Sequence, residues 1–247
     1  MTYCVALKLS EGLVLCSDSR TNAGVDHIAS FRKLQVFEKP GERIVFMQNA
    51  GNLASTQSVI SMLQKAIHQS DKHILNVESL FDAAELVGKT VRQVIERDSG
   101  QNQGIDFGCN ILLSGQIRGE EPRLFHIYPQ GNFIEATEDT PYFQIGESKY
   151  GKPILDRIIS SATPLDQAVQ CALISMDSTL RSNLSVGMPL DLVSYQADTW
   201  KNPGIRRLDE THQAFQQLRA AWSEGIKQLF NSLPLFMQDK KQTLQDE

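Results

Sequence analysis

The chain has 247 residues, 41% hydrophobic and 21% charged, an ordinary globular composition long enough for one large or two small domains. A formal net charge of −5 with no dense basic stretch argues against nucleic acid as the main partner. The longest apolar runs are strand-sized, well short of the ~20 residues that cross a bilayer. The start lacks the basic and apolar pattern of a leader. The four cysteines (Cys4, Cys16, Cys109, Cys171) show neither close pairing nor metal spacing, so they read as reduced thiols of a cytoplasmic protein.

Residues 2–9 and 12–17 read as two strands joined by the Ser10-Glu11-Gly12 turn. Their apolar runs are nearly continuous, as in strands covered on both faces. A polar loop over 21–27 follows, then strands near 34–37 and 43–48, split by the Pro40-Gly41 turn. Two helices come next. Residues 55–69 place Val59, Ile60, Leu63 and Ile67 at helical spacing. Residues 77–98 do the same through Leu80, Ala84, Val87, Val91 and Ile95, with Asn76 as N-cap and Asp98-Ser99-Gly100 as the stop. A short polar linker spans 101–104. Strand character then resumes over 107–113, 123–128, 132–135 and 142–145. Two more helices are expected over 148–160 and 165–182, the second with Thr163 as N-cap and Pro164 at the first helical position. Residues 190–195 read as a final sheet strand. A last amphipathic stretch, 208–230, sets Phe215, Leu218, Trp222, Ile226 and Leu229 on one stripe before Pro234 stops it. That stripe either packs on its own subunit or docks on a neighbouring one.

Segregated runs of strands and helices indicate an α+β protein, but periodicity alone does not choose how the layers stack. The candidate chemistry lies at the start. A chain that begins with threonine carries a nucleophile and a base on one residue: the hydroxyl, and a free α-amine with a pKa of roughly 7.7–8.0. The amine exists only once Met1 is removed, and Thr2 has the small side chain that aminopeptidases tolerate beside an initiator methionine.

The run Thr2-Tyr3-Cys4-Val5-Ala6, with Ser17-Asp18-Ser19-Arg20-Thr21-Asn22-Ala23-Gly24, Lys33 and the Ala50-Gly51 turn, resembles the catalytic β-type subunits of the proteasome family. Within the N-terminal-nucleophile hydrolases it is most similar to the bacterial branch called Anbu. The resemblance is densest over residues 2–56 and traceable to about residue 196. It implies a four-layer α/β/β/α sandwich over residues 2–200, with a C-terminal helical extension over 201–247. It further implies a threonine-type peptide hydrolase that self-assembles into a ring or spiral, acts on peptides and uses no cofactor.

The roles that the resemblance implies are these. Thr2 is the nucleophile, and Lys33 is the cation beside it, with Arg32 as the alternative in a slipped register. Asp18 holds that cation, Arg20 braces the loop, and Gly51 supplies an oxyanion N–H. Thr21 and Asn49 line the substrate site. Ser148, in Gly146-Glu147-Ser148, and Asp177 support the threonine amine, with Ser178, Ser182 or Ser185 closing their network.

Other chemistries lack support. The five histidines are scattered without metal spacing, no Gly-rich phosphate loop is present, and Cys4 has no partner for a Cys–His pair. Any ATPase is therefore a separate protein. Two further readings stay open: an amidase or acylase acting on a small amide, and a non-catalytic assembly subunit.

Overall fold

A computed structural model describes residues 2–22, 28–100 and 104–236. Most of the polar loop over 21–27, most of the 101–104 linker and the polar end over 237–247 lie outside the described residues. In chain order the elements are β1 (Tyr3–Leu9), β2 (Gly12–Asp18), β3 (Arg20–Asn22), β4 (Ile28–Ser30), β5 (Leu34–Lys39) and β6 (Arg43–Gly51). There follow α1 (Leu53–Gln69), α2 (Leu80–Ser99), β7 (Cys109–Ile117), β8 (Arg123–Ile127), β9 (Phe133–Glu135) and β10 (Tyr142–Gly146). The chain continues with α3 (Lys152–Ile158), α4 (Leu165–Ser182), β11 (Leu190–Gln196), β12 (Arg206–Leu208) and α5 (Gln213–Ser232).

Two antiparallel five-stranded sheets form, ordered β10-β1-β2-β11-β12 and β5-β6-β7-β8-β9. Alternation along each strand decides which side chains meet which layer. Cys4, Ala6, Leu13 and Leu15 of one sheet pack against Phe46, Leu112 and Leu124 of the other, forming the inter-sheet core. The opposite face of the second sheet, with Val45, Met47, Ile111 and Phe125, takes Val59 and Leu63 of α1 and Val87 and Val91 of α2. α4 lies over β1, β2 and β11 on the outer face of the first sheet. The result is the four-layer α/β/β/α arrangement. It explains why β1 and β2 are apolar on both faces: each is covered twice. Truncating a side chain buried like Leu63 costs about 2–5 kcal/mol.

Local details depart from the sequence expectations where tertiary contacts supply what the local sequence does not. α2 is capped by Ser79 rather than Asn76, in a reciprocal capping box with Asp82. Asn76 instead ties its own loop together, accepting from the His73 N–H and donating to the Asp71 carbonyl. Thr163 does not cap α4. Its hydroxyl is bonded to the Ser160 N–H and the Ile158 carbonyl, and the Leu165 N–H at the helix start donates to Glu11 in the β1–β2 turn. α3 is one short run rather than the whole of 148–160. The β3–β4 pair and β12 are strands that the sequence pattern did not announce.

The chain divides into two compact units, residues 1–211 and 212–247. The second holds α5, capped by the His212 ring, which accepts from the Phe215 N–H. Along its second half and just beyond, Ile226, Leu229, Phe230, Leu233 and Phe236 are exposed.

Candidate active site

β1 carries Thr2 just ahead of its first residue, and β2 carries Asp18 at its last. The Cys4–Ser17 register of the pair brings these two ends together. Lys33, immediately before β5, reaches in from the second sheet. Its ammonium is 2.6 Å from Asp18 Oδ1 and also donates to the Arg20 carbonyl at 2.7 Å. The Tyr3 N–H donates to the same Asp18 oxygen at 3.0 Å. Ammonium and strand start thus converge on one carboxylate oxygen, which puts the cation one peptide away from Thr2. Asp18 is fully buried and Lys33 is 5% exposed, whereas Arg32 points to solvent. It is Lys33, not Arg32, that meets Asp18.

A buried ion pair needs further hydrogen bonds to offset lost hydration. Asp18 has them: besides Tyr3, the Gly187 N–H donates to Oδ2 at 3.2 Å. Burial pushes the Asp18 carboxyl above its usual range, while Lys33 and the two N–H donors pull the other way. Cys4, one residue on from Tyr3, is kept as a thiol: burial raises it well above its ordinary value, with Lys33 opposing. It is therefore not a competing nucleophile.

Asn49 and Gly51 close the other side. The Asn49 N–H and side-chain amide both donate to the Lys33 carbonyl, at 3.1 and 3.0 Å, fixing the backbone that carries Lys33. N–H groups two residues apart on a strand face the same edge. The Gly51 N–H therefore faces the edge that β5 occupies further down, but beyond the point where β5 begins. Its φ of +117° and the carbonyl of Gly108 behind it leave no room for a Cβ. A cavity of about 390 Å³ lies beside Asn49 and Leu53, lined also by Phe31, Arg32, Gln35 and Gln57 among others. A larger cavity of about 650 Å³ sits at the far end of β1, around Lys8–Ser10 and Trp200, away from Thr2.

The remaining sequence candidates are dispersed. The Arg20 guanidinium donates to the Leu184 carbonyl at 3.0 Å, bracing the segment over 183–187. Thr21 sits on β3, opposite Ala29. Ser148 lies in the turn into α3, and its carbonyl accepts from the Lys152 N–H. Asp177 is buried on α4 and holds Arg181, one turn on, at 2.9 Å. Ser182 is exposed on the last turn of α4. Ser185 is half-buried, and its N–H donates to Asn183.

Two residues that the sequence reading passed over touch the centre directly. Gly187 donates to Asp18, and Glu147 donates its N–H to the Thr2 carbonyl at 2.7 Å. Both lie in stretches picked out as motifs, but for their serines; a backbone donor leaves no mark in side-chain chemistry. Among the described residues no cluster of His, Cys, Asp and Glu could hold a metal ion, and no helix is long and apolar enough to cross a membrane.

Comparison with known proteins agrees with this arrangement. The model of the proteasome subunit family matches residues 2–193. Proteasome subunit beta 2 of Nitrosopumilus maritimus (strain SCM1) is 24% identical over 215 residues, covering 85% of this chain and 90% of that one. Among solved structures, Anbu (ancestral beta-subunit) from Yersinia bercovieri superposes with a TM-score of 0.91 at 60% identity, covering 95% of this chain and 99% of that one. The helical assembly of the Anbu complex from Pseudomonas aeruginosa gives a TM-score of 0.93 at 54% identity, over 96% and 99% of the respective chains.

Proposed function

The chain belongs to the proteasome subunit family, on its Anbu branch, and on that premise we propose that it is a threonine-type peptide hydrolase that works as a self-assembled oligomer. The observation that carries this reading is the convergence of the Lys33 ammonium and the Tyr3 N–H on one oxygen of a buried carboxylate, beside Thr2.

With Met1 removed, the Thr2 hydroxyl attacks the amide carbonyl of a bound peptide. Its proton passes, through a water, to the α-amine of the same residue. Lys33 does two things. Its positive charge favours the neutral, proton-accepting amine, and it stabilises the alkoxide as it forms. Asp18 keeps that ammonium in place. The Gly51 N–H faces the negative oxygen of the tetrahedral intermediate, whose collapse expels the amine fragment and leaves an ester on Thr2. Water then attacks the ester with the same base assisting. The cleft over Asn49 and Arg32 receives the side chain preceding the cut bond.

Self-assembly is supported by the helical assembly of the Pseudomonas aeruginosa relative and by the exposed apolar residues of α5. The test pairs intact mass with labelling by a peptidyl electrophile selective for N-terminal threonine. The expected result is a mass lower by one methionine residue and stoichiometric labelling, abolished in Thr2→Ala with the oligomer intact. Equal labelling of Thr2→Ala overturns the assignment.

A further inference from the structure

We propose that Glu147 is a positioning residue for the nucleophile, and that its carboxylate is the counter-ion of the α-ammonium exposed when Met1 is removed. This rests on the hydrolase reading above and adds a group that holds the base charged and in register until the pH rises.

The geometry begins with register. The β1–β10 ladder ends at Tyr3–Gly146, and just beyond it the Glu147 N–H donates to the Thr2 carbonyl at 2.7 Å. The chain can make this approach only because Gly146 has a φ of +84°; a Cβ there would sit on the Thr2 carbonyl.

The Glu147 side chain is then an anomaly. It is only 6% exposed, and acidic groups are rarely buried without a full set of partners. Its partners are the neutral Asn183 amide, 3.0 Å from Oε2, and the Lys149 ammonium, 3.8 Å from Oε1, on a side chain that is 77% exposed. Among the described residues, one neutral hydrogen bond and one loose, solvated cation are all that meet the carboxylate. The trimmed terminus places a fixed ammonium on the very residue whose carbonyl the Glu147 N–H holds.

The contact also closes a ring. Asn183 opens the segment over 183–187, whose Gly187 N–H holds Asp18. Asp18 in turn holds Tyr3 and Lys33. Glu147 thus links the back of Thr2 to the carboxylate that fixes Lys33 in front of it. The charged groups that the neighbouring elements carry are Asp18 on β2, Arg20 on β3, Lys33 before β5, Lys149 beside Glu147, and the Asp177–Arg181 pair on α4. Lys33 drives the amine toward its neutral form and Glu147 opposes it.

The test is the pH dependence of Thr2 labelling in the Met1-trimmed, full-length protein, using a peptidyl epoxyketone. Glu147→Gln keeps the size and a hydrogen-bonding group but removes the charge. Its acid limb is expected about one pH unit below that of wild type, so labelling one unit below the wild-type midpoint rises about fivefold. Glu147→Ser shifts the limb the same way and serves if the glutamine variant does not fold; Glu147→Asp retains the wild-type midpoint. A lower plateau with an unmoved limb reduces Glu147 to a structural clamp and overturns the proposal. Trimmed wild type that never labels overturns the hydrolase reading and this inference with it, which keeps the two failures apart.

Discussion

Lys33 sits in the interior because Asp18, the Arg20 carbonyl and the backbone held by Asn49 together replace its water. Such a pair is sensitive to loss of one partner. In Asp18→Asn the ammonium stays buried without its anion, which is expected to destabilise the fold by about 3–5 kcal/mol in urea unfolding. The double variant Asp18→Asn/Lys33→Met should recover much of that loss while remaining inactive, separating what the pair does for stability from what it does for chemistry. His126 gives a second test at this scale. Its ring lies 4.3 Å from the Tyr128 ring and 5.9 Å from that of Phe143, with Nε2 3.2 Å from the Asn110 side-chain oxygen. Burial holds its pKa below the ordinary histidine value. The native state therefore binds this proton less readily than the unfolded chain. The stabilisation is whole above roughly pH 6.5 and is lost as the pH falls through the lower, native value. Thermal melts from pH 7.5 to 5 should show that decline in wild type and a shallower one in His126→Gln.

At the scale of elements, helix starts decide where the layers begin. α2 carries its signal in its own sequence: Ser79 and Asp82 satisfy each other's backbone donors. Ser79→Ala should cost about 1 kcal/mol in chemical denaturation, with no change in labelling of Thr2. The capping of α4 is not local. Its first N–H, that of Leu165, donates to Glu11, 154 residues away, and the Leu80 N–H of α2 likewise donates to Glu120. Carboxylates at a helix N-terminus are favourable wherever they come from in the chain. That is why Thr163-Pro164 read as a local cap and is not one. β3, β4 and β12, three residues each, have no periodicity to detect, and pairing alone makes them strands.

At the scale of the whole molecule, the proposed self-assembly would restrict access to the proposed nucleophile. α5 presents Leu229 and Phe230 at 63% and 73% exposure, an apolar surface that a second copy would cover. Leu229→Ser with Phe230→Ser is expected to shift the protein from oligomer to smaller species in light scattering, with the 1–211 unit still folded. An unchanged mass distribution would place the contacts elsewhere.

The sequence by itself determined the two β-runs and the two helix pairs, since a strand buried on both faces or a helix with one apolar stripe writes its burial into its residues. The resemblance around Asp18 narrowed the paired cation to Lys33 or Arg32, and the structure pairs Lys33 with Asp18. Only the tertiary structure decided what surrounds them. Gly187, Glu147 and Asn183 come from chain positions about 145–185 residues beyond Thr2, and they act through backbone donors or a single amide. Nothing in the local pattern of such residues distinguishes them from loop. What selects them is the β1–β10 pairing, which ends by handing the Glu147 N–H to the Thr2 carbonyl, and the fold that returns the chain past Asp18 before β11 begins.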